Sequence, residues 1–238
     1  MSIMRKFTPI VAAVSLSLSA TPAMADAITL GSGDVGTSFS LNFNGFADGT
    51  VINNLAAMAT FTLQAVTGSS YTFAYTITNS TGSPLTSRVS SFGFNTDPNI
   101  SSASSTGAFS YTTLNSSYPN GIGAIDVCFK DAKTGACSGG GSGGLTTGQT
   151  GTGTFTLNFS QPLSELTLSD FFVRYQSITG AGNVTSASGA GTLTSSGGST
   201  STSSGGTSVP EPGMLGLFGA ALIGVGLMRR RRKAPLAA

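Results

Sequence analysis

The residues of this chain that could do chemistry are few, and their types limit what that chemistry is. There is no histidine in 238 residues. That removes Ser-His-Asp and Cys-His arrangements and histidine metal sites, and with them the commonest general base. Carboxylates remain: Asp126 and Asp131 flank Cys128, and Glu165 lies near Asp170. A glycosidase-type pair is the reaction such acids would serve, but isolated acids on strands usually occupy solvated turns and edges, so no catalytic residue is assigned. Cys128 and Cys137 are the only cysteines, nine positions apart. Without histidine they lack the partners of a zinc site, and in an exported chain they read as a disulfide closing a local loop. Asp97-Pro98-Asn99 and Asp34 offer oxygen ligands of the kind calcium takes, but no spaced Asp/Asn/Gly loop organises them. No cofactor and no metal is therefore expected, a structural calcium being the lesser reading. The Gly139–Gly144 run has no following Lys-Ser/Thr pair and no helix behind it, so it reads as a flexible hairpin tip and not as a phosphate loop. Tyr111, Tyr118 and Tyr175 sit among polar neighbours and could stack on sugar rings, although the chain has no Trp to supply the usual platform.

The elements that must carry these residues are strands. Phe39, Leu41 and Phe43 alternate with Ser and Asn, and Phe61 and Leu63 with Thr. Tyr71, Phe73, Tyr75 and Ile77 alternate with Thr and Ala, and Phe155, Leu157 and Phe159 with Thr and Asn. One apolar and one hydroxyl-bearing face is the pattern of antiparallel strands solvated on one side. Phe92, Phe94, Leu166, Leu168 and the Phe171–Ile178 segment extend the set. Clusters of Gly, Asn, Asp and Pro punctuate it at 45–49, 79–84, 95–99 and 119–123. Only Asn53–Met58 shows a trace of helical period. The fold class is all-β, an antiparallel β-sandwich of jelly-roll type over residues 26–194, with its aromatic residues in the core. Residues 195–208, all Ser, Thr and Gly, cannot bury a core and form a flexible linker. Asn79, Asn99, Asn115, Asn158 and Asn183 begin glycosylation-type triplets, which an Asn/Ser/Thr-rich sequence produces by arithmetic alone.

Both ends of the chain are targeting segments. Arg5 and Lys6, an apolar stretch from Ile10 to Leu18, and Ala23-Met24-Ala25 make a signal peptide over residues 1–25, with cleavage set by Ala23 and Ala25. At the other end stand Val209-Pro210-Glu211-Pro212, a charge-free run from Gly213 to Met228, and Arg229, Arg230, Arg231, Arg232 and Lys233. Sixteen helical residues reach roughly 24 Å, short of the ~30 Å hydrocarbon core, so this transmembrane helix spans only by thinning the bilayer or by snorkelling of the flanking cations. The basic cluster stays cytoplasmic and places everything before Gly213 outside the inner membrane. Removing the two ends reverses the charge. The whole chain is +2, but from Asp26 to Ser208 four basic residues face eight acidic ones, leaving −4. Nucleic-acid binding therefore has no electrostatic support.

The order Pro-Glu-Pro, short apolar helix and arginine cluster at residues 209–238 resembles the PEP-CTERM sorting signal of Gram-negative bacteria. Pro210, Glu211 and Pro212 match its motif residue by residue. Val209 before them and Leu215-Gly216-Leu217 after them match its commonest form, while Ala234–Ala238 extend past the usual end. The resemblance implies recognition by a membrane-embedded exosortase that cuts near Pro-Glu-Pro. The segments Gly121–Phe129, Cys137–Gly141 and Ser169–Ile178 resemble the two-cysteine "cistern" group of PEP-CTERM proteins, a similarity covering most of residues 31–191 that implies no reaction.

The function expected is that of a non-enzymatic structural protein of the cell envelope or extracellular matrix, associated with exopolysaccharide and biofilm. It is exported by the general secretion machinery, anchored transiently in the inner membrane with its domain on the periplasmic side, processed by an exosortase and left at the cell surface or outside the cell. The alternative is a carbohydrate-binding, lectin-like module using the same route.

Overall fold

Where apolar and hydroxyl-bearing residues alternate, the chain forms strands. The computed structural model describes residues 26–133 and 136–194, all within the first of two units, Met1–Gly198 and Ser199–Ala238. The expected signal peptide, the 195–208 linker and the 209–238 sorting tail with its transmembrane helix lie outside the described residues. Among those residues, no helix is long and apolar enough to cross a membrane. Twelve strands follow one another: β1 Ile28–Gly31, β2 Ser38–Ala47, β3 Thr50–Thr67, β4 Ser70–Asn79, β5 Thr86–Asp97 and β6 Ser102–Ser105. Then come β7 Tyr111–Tyr118, β8 Gly123–Lys130, β9 Leu145–Thr146, β10 Thr150–Asn158, β11 Glu165–Thr179 and β12 Ser186–Thr194.

All pairings given by the ladders are antiparallel, and the all-β reading holds. Its two stacked layers do not stay separate. Hydrogen bonding runs through one sheet in the order β6-β10-β4-β3-β2-β12-β11-β5-β8-β7, with β1 added to β11 and β9 to β5. The sheet curls into a near-barrel whose two edges, β6 and β7, approach each other. These edges are consecutive in the chain, joined by a single 3-10 turn at Gly107–Phe109. The seam is sealed by Tyr75, whose hydroxyl donates to Thr106 O at 2.8 Å and accepts from Phe109 N at 2.9 Å. Closure by a chain crossing leaves fewer strand groups unpaired at the surface than two open sheets would.

Inside lies an aromatic core. Phe155 is central, its ring centroid 4.8 Å from Phe129 and 5.1 Å from Phe73, with Phe92 4.9 Å from Phe129. Phe39, Phe61, Phe73 and Phe155, expected in the core, are all buried. Asn53–Met58 belongs to β3, not to a helix. Its alanines have good helix propensity, but Leu55, Ala57 and Ala59 point inward in alternation, and Ala57 and Ala59 stand opposite Phe43 and Leu41 in the register. The small residues make room for large neighbours. The same rule explains β12, a glycine-rich strand placed centrally between β2 and β11. A side chain at Gly189 would meet Tyr175 Cε2 at 2.9 Å, and one at Gly191 would meet Phe43 Cε1 at 2.8 Å.

Candidate functional site

Most residues with chemical potential gather on the outer face of β5, β8 and β11, beneath the segment that links β8 to β9. β5 is buried on both faces. Val89, Phe92 and Phe94 fill the core, while the register against β11 shifts by one between Val89↔Tyr175 and Ser91↔Arg174, leaving Ser90 as the extra residue of a bulge. Ser90 ties down both arms of the covering loop. Its carbonyl accepts from Asp131 N at 3.0 Å, and its hydroxyl donates to Ser138 O at 2.7 Å.

At the centre of this cap is Arg88. Its Nη1 donates to Asp131 Oδ2 at 2.7 Å and Gly143 O at 2.7 Å, and its Nη2 to Gly140 O at 2.9 Å and Gln176 Oε1 at 2.8 Å. Asp131 also accepts from Gly140 N at 2.8 Å. The ion pair is buried, with side-chain exposures of 8% and 1%, and a buried pair needs this surrounding set of hydrogen bonds to offset its desolvation. The Gly139–Gly144 run is therefore not a flexible tip. The carbonyls of Gly140 and Gly143 face a guanidinium, and at Gly139, Gly140 and Gly144 the backbone leaves no room for a side chain. Gly139 has φ +73, and a Cβ there would lie 2.6 Å from Ser90 O and 2.7 Å from Asp131 Oδ1; Gly144, at φ +72, would collide with Val89 O.

Cys128 and Cys137 lie beside this cap in a small cluster of their own with Tyr118 and Ile125, fully buried and against Phe172. Both are thiols in this structure, where a bond between them was expected. Cys128 Sγ is 3.6 Å from Cys137 O, and Ser91 Oγ donates to the same carbonyl. The hydrogen bond from Cys128 lowers the pKa of Cys137, whereas burial raises that of Cys128; Cys137 is thus the thiol that ionises first. Tyr118 OH lies 3.4 Å from Ser91 Oγ, and burial holds its pKa well above the ordinary value. Arg174, one strand over, donates to Ser186 Oγ at 2.7 Å and Ser188 Oγ at 3.4 Å, and burial lowers its pKa.

Most of the candidate carboxylates are taken up by structural partners, Asp131 by Arg88 and Gly140 and Asp126, Asp170 and Asp34 by amide donors. Asp126 Oδ2 accepts from Thr96 N at 2.8 Å. Asp170, held at φ +51 in a bulge of β11, accepts from Asn95 Nδ2 at 3.0 Å. Asn95 Oδ1 in turn accepts from Asp126 N at 3.1 Å, so one asparagine links the two acids across three strands. Glu165 is exposed at the start of β11. Asp34 Oδ2 accepts from Gly31 N at 2.7 Å and closes its own turn. Among the described residues, no group of three or more Cys, Asp or Glu side chains could hold a metal ion.

Two of the three tyrosines proposed for sugar stacking are core residues. Tyr118 is buried, and Tyr175, whose hydroxyl donates to Phe43 O at 3.0 Å, has no exposed surface; only Tyr111 reaches solvent, at 42%. Asn79 is spent as well. Its buried amide donates to Leu145 O at 2.9 Å and Ser87 O at 3.1 Å, which removes its triplet from consideration as a glycosylation site. Arg88, Gln176 and Ser90 were missed by sequence reasoning. The one signal for Arg88 was scarcity: in a domain with four basic residues, a lone arginine inside a strand pattern has to be paired to be buried.

Val209, Pro210, Glu211 and Pro212, the basic cluster Arg229–Lys233, and Ala23 and Ala25 lie outside the described residues. The comparisons with known proteins bear on the first two. No curated protein and no solved structure matches the chain. The family model described as the PEP-CTERM protein-sorting motif matches residues 208–233. These residues hold the Pro-Glu-Pro tripeptide, the apolar run and the basic cluster in order, so the chain carries a PEP-CTERM sorting motif, the signal of an exported protein sorted by an exosortase.

Proposed function

We propose that the mature protein is a non-enzymatic structural component of the cell envelope or extracellular matrix, a constituent of exopolysaccharide-bearing biofilm. The observation that carries this reading is the sorting motif at residues 208–233, behind a β-domain in which Asp126, Asp170, Asp131 and Arg88 are engaged in holding strands and one loop together. The general secretion machinery delivers the chain, and the segment Gly213–Met228 holds it briefly in the inner membrane with Arg229–Lys233 on the cytoplasmic side. An exosortase cuts near Val209-Pro210-Glu211-Pro212 and releases the domain to the surface. In that oxidising compartment Cys128 and Cys137 join as a disulfide. The Cys137 thiolate is oxidised with Cys128 by exchange with a disulfide-bearing oxidoreductase, which is reduced to the dithiol.

The test is the intact mass and location of the protein from its native host, with and without Pro210, Glu211 and Pro212 replaced by alanine. The wild type is expected in the extracellular or matrix fraction with a mass ending near the motif, and the variant uncut in the inner membrane. A full-length C-terminus in the inner membrane for both would make the tail a permanent anchor and remove the matrix assignment.

A further inference from the structure

Strands β6, β10, β4, β3 and β2 stand side by side in the sheet and contain no charged residue. Each Asp, Glu, Lys and Arg of residues 26–194 falls on another strand, in a turn or bend, or, for Asp26, ahead of β1. The inward positions of these five strands are the aromatic core, so their other face is outer surface, and it is built of hydroxyls. Ser40, Thr60, Thr76 and Thr152 form one row across four strands. In the next row Met58, 46% exposed, stands between Asn42 and Thr78. Neighbours within rows are hydrogen-bonded to each other, Ser40 to Thr60 at 2.7 Å and Thr78 to Thr150 at 2.8 Å, and in each pair either oxygen could be the donor.

We propose that this face is a docking surface for an uncharged polysaccharide chain lying across strands β2, β3, β4 and β10. The proposal rests on the extracellular reading above and specifies what the domain touches there. A hydroxyl is one donor and two acceptors on a free rotor. A paired row can therefore turn outward whichever polarity a sugar hydroxyl lacks. Sugar hydroxyls have the same dual character, whereas a partner of fixed donors or acceptors gains nothing from the ambiguity. The absence of charge excludes a polyanion, which needs cations to bind, and spares a neutral chain the desolvation of an ion. Met58 gives the C–H face of a sugar ring an apolar seat. Strands repeat about every 4.8 Å and outward residues about every 6.7 Å along a strand, so the site is a lattice suited to a polymer and not a pocket for one sugar. A second copy of this chain is the weaker occupant, because stable self-interfaces are more apolar than a face of Ser, Thr and Asn.

The mature protein is tested by co-sedimentation with two insoluble neutral glucans, cellulose and granular starch, and for retention on immobilised alginate as the polyanion. Retention on at least one glucan, unaffected by added salt, is expected, and none on alginate. Thr76→Glu combined with Thr152→Glu places charge on two exposed positions of the face and is expected to weaken glucan binding at least about tenfold. Ser117→Glu, on exposed β7, leaves binding unchanged. Urea midpoints confirm that the variants are folded, and Thr76→Val with Thr152→Val, which keeps shape and removes hydroxyls, repeats the loss without new charge. A wild type left in the supernatant by both glucans would overturn the proposal, as would undiminished binding by the double variants. A dimer that the Glu variant dissolves would assign the face to self-association instead. Sorting is read separately: the face variants are still cut and exported, and the tail variant, purified, still binds glucan.

Discussion

Replacing Arg88 by methionine tests whether the Gly139–Gly144 cap is closed around a buried cation. Methionine keeps the unbranched stem, so the loss is confined to the guanidinium. Four hydrogen bonds go with it, two to loop carbonyls, one to Gln176 and one to Asp131. Asp131 is left as a carboxylate at 1% exposure with Gly140 N as its remaining partner on the loop. Breaking a buried pair from one side costs about 3–5 kcal/mol, chiefly the stranded charge. For a domain of this size each kcal/mol lowers Tm by about 2–4 °C, so the expected fall is roughly 6–20 °C. In urea the midpoint drops at unchanged slope. Asp131→Asn is milder, about 1.5–3 kcal/mol, because Arg88 keeps its neutral acceptors. Arg88→Met with Asp131→Leu removes both charges and is expected to cost less than the sum of the single changes. The effect persists at high salt, since a buried pair is little screened. A loss under about 1 kcal/mol for Arg88→Met, or strict additivity in the cycle, would mean that the cap is open to water and that the arginine is an ordinary surface residue.

Two further outcomes follow from buried groups. The secreted protein is expected to be lighter by two hydrogens than the reduced sequence, with no thiol titratable after unfolding without reductant. Serine at both Cys128 and Cys137 then lowers stability by about 2–3 kcal/mol, the chain entropy of so short a loop; two free thiols in unfolded native material would refute this. Stability is also expected to fall in alkali. Burial raises Tyr118 and Tyr175 above their ordinary value of 10.0, so the folded state keeps protons that the unfolded chain gives up. Their contribution is complete below pH 10 and is lost as pH rises beyond it, at up to about 2.7 kcal/mol per pH unit for the two together. Phenolate absorbance should appear cooperatively with unfolding. A gradual titration of all five tyrosines in a protein that stays folded would contradict the burial assigned to them.

The strands were legible where large apolar residues alternate. β4 repeats Tyr, Phe or Ile at every second position, β2 does so from Phe39 to Phe43 and β10 at Phe155 and Leu157. β12 and β6 were invisible for a physical reason. Ala187, Gly189 and Gly191 carry no bulk, because rings from β2 and β11 already occupy the space the glycines face, and Ser102–Ser105 offers the core only the small Ala103. Apolar periodicity reports the side that supplies volume and is silent about the side that receives it. Sheet closure was beyond reach because it rests on long-range contacts of a short turn, the buried Phe109 and the Tyr75 hydroxyl that bonds to Thr106 O and Phe109 N, which no local pattern announces. The cap failed differently. A run of glycines reads as flexible when taken alone, and its order comes from Arg88, which lies some fifty residues earlier in the chain. The sorting tail needed no tertiary information: its three parts are contiguous, and their order is the signal.

On the proposed route, the distribution of charge helps to make release one-way. The precursor carries seven of its eleven cations at its two ends, Arg5 and Lys6 and then Arg229–Lys233, while the exported part from Asp26 to Ser208 is −4. Before cutting, the basic cluster holds the tail on the cytoplasmic side, where each cation near an anionic leaflet contributes about 1 kcal/mol. Cutting near Pro-Glu-Pro removes those cations together with the apolar helix, so membrane attraction and membrane insertion end in the same step. Of the four cations that remain, Arg88, Lys130 and Arg174 are buried and only Lys133 is exposed. The released domain then presents membranes with a few acidic turns and a neutral hydroxyl face. It has no electrostatic reason to return, and the contacts left to it are those an uncharged partner can make.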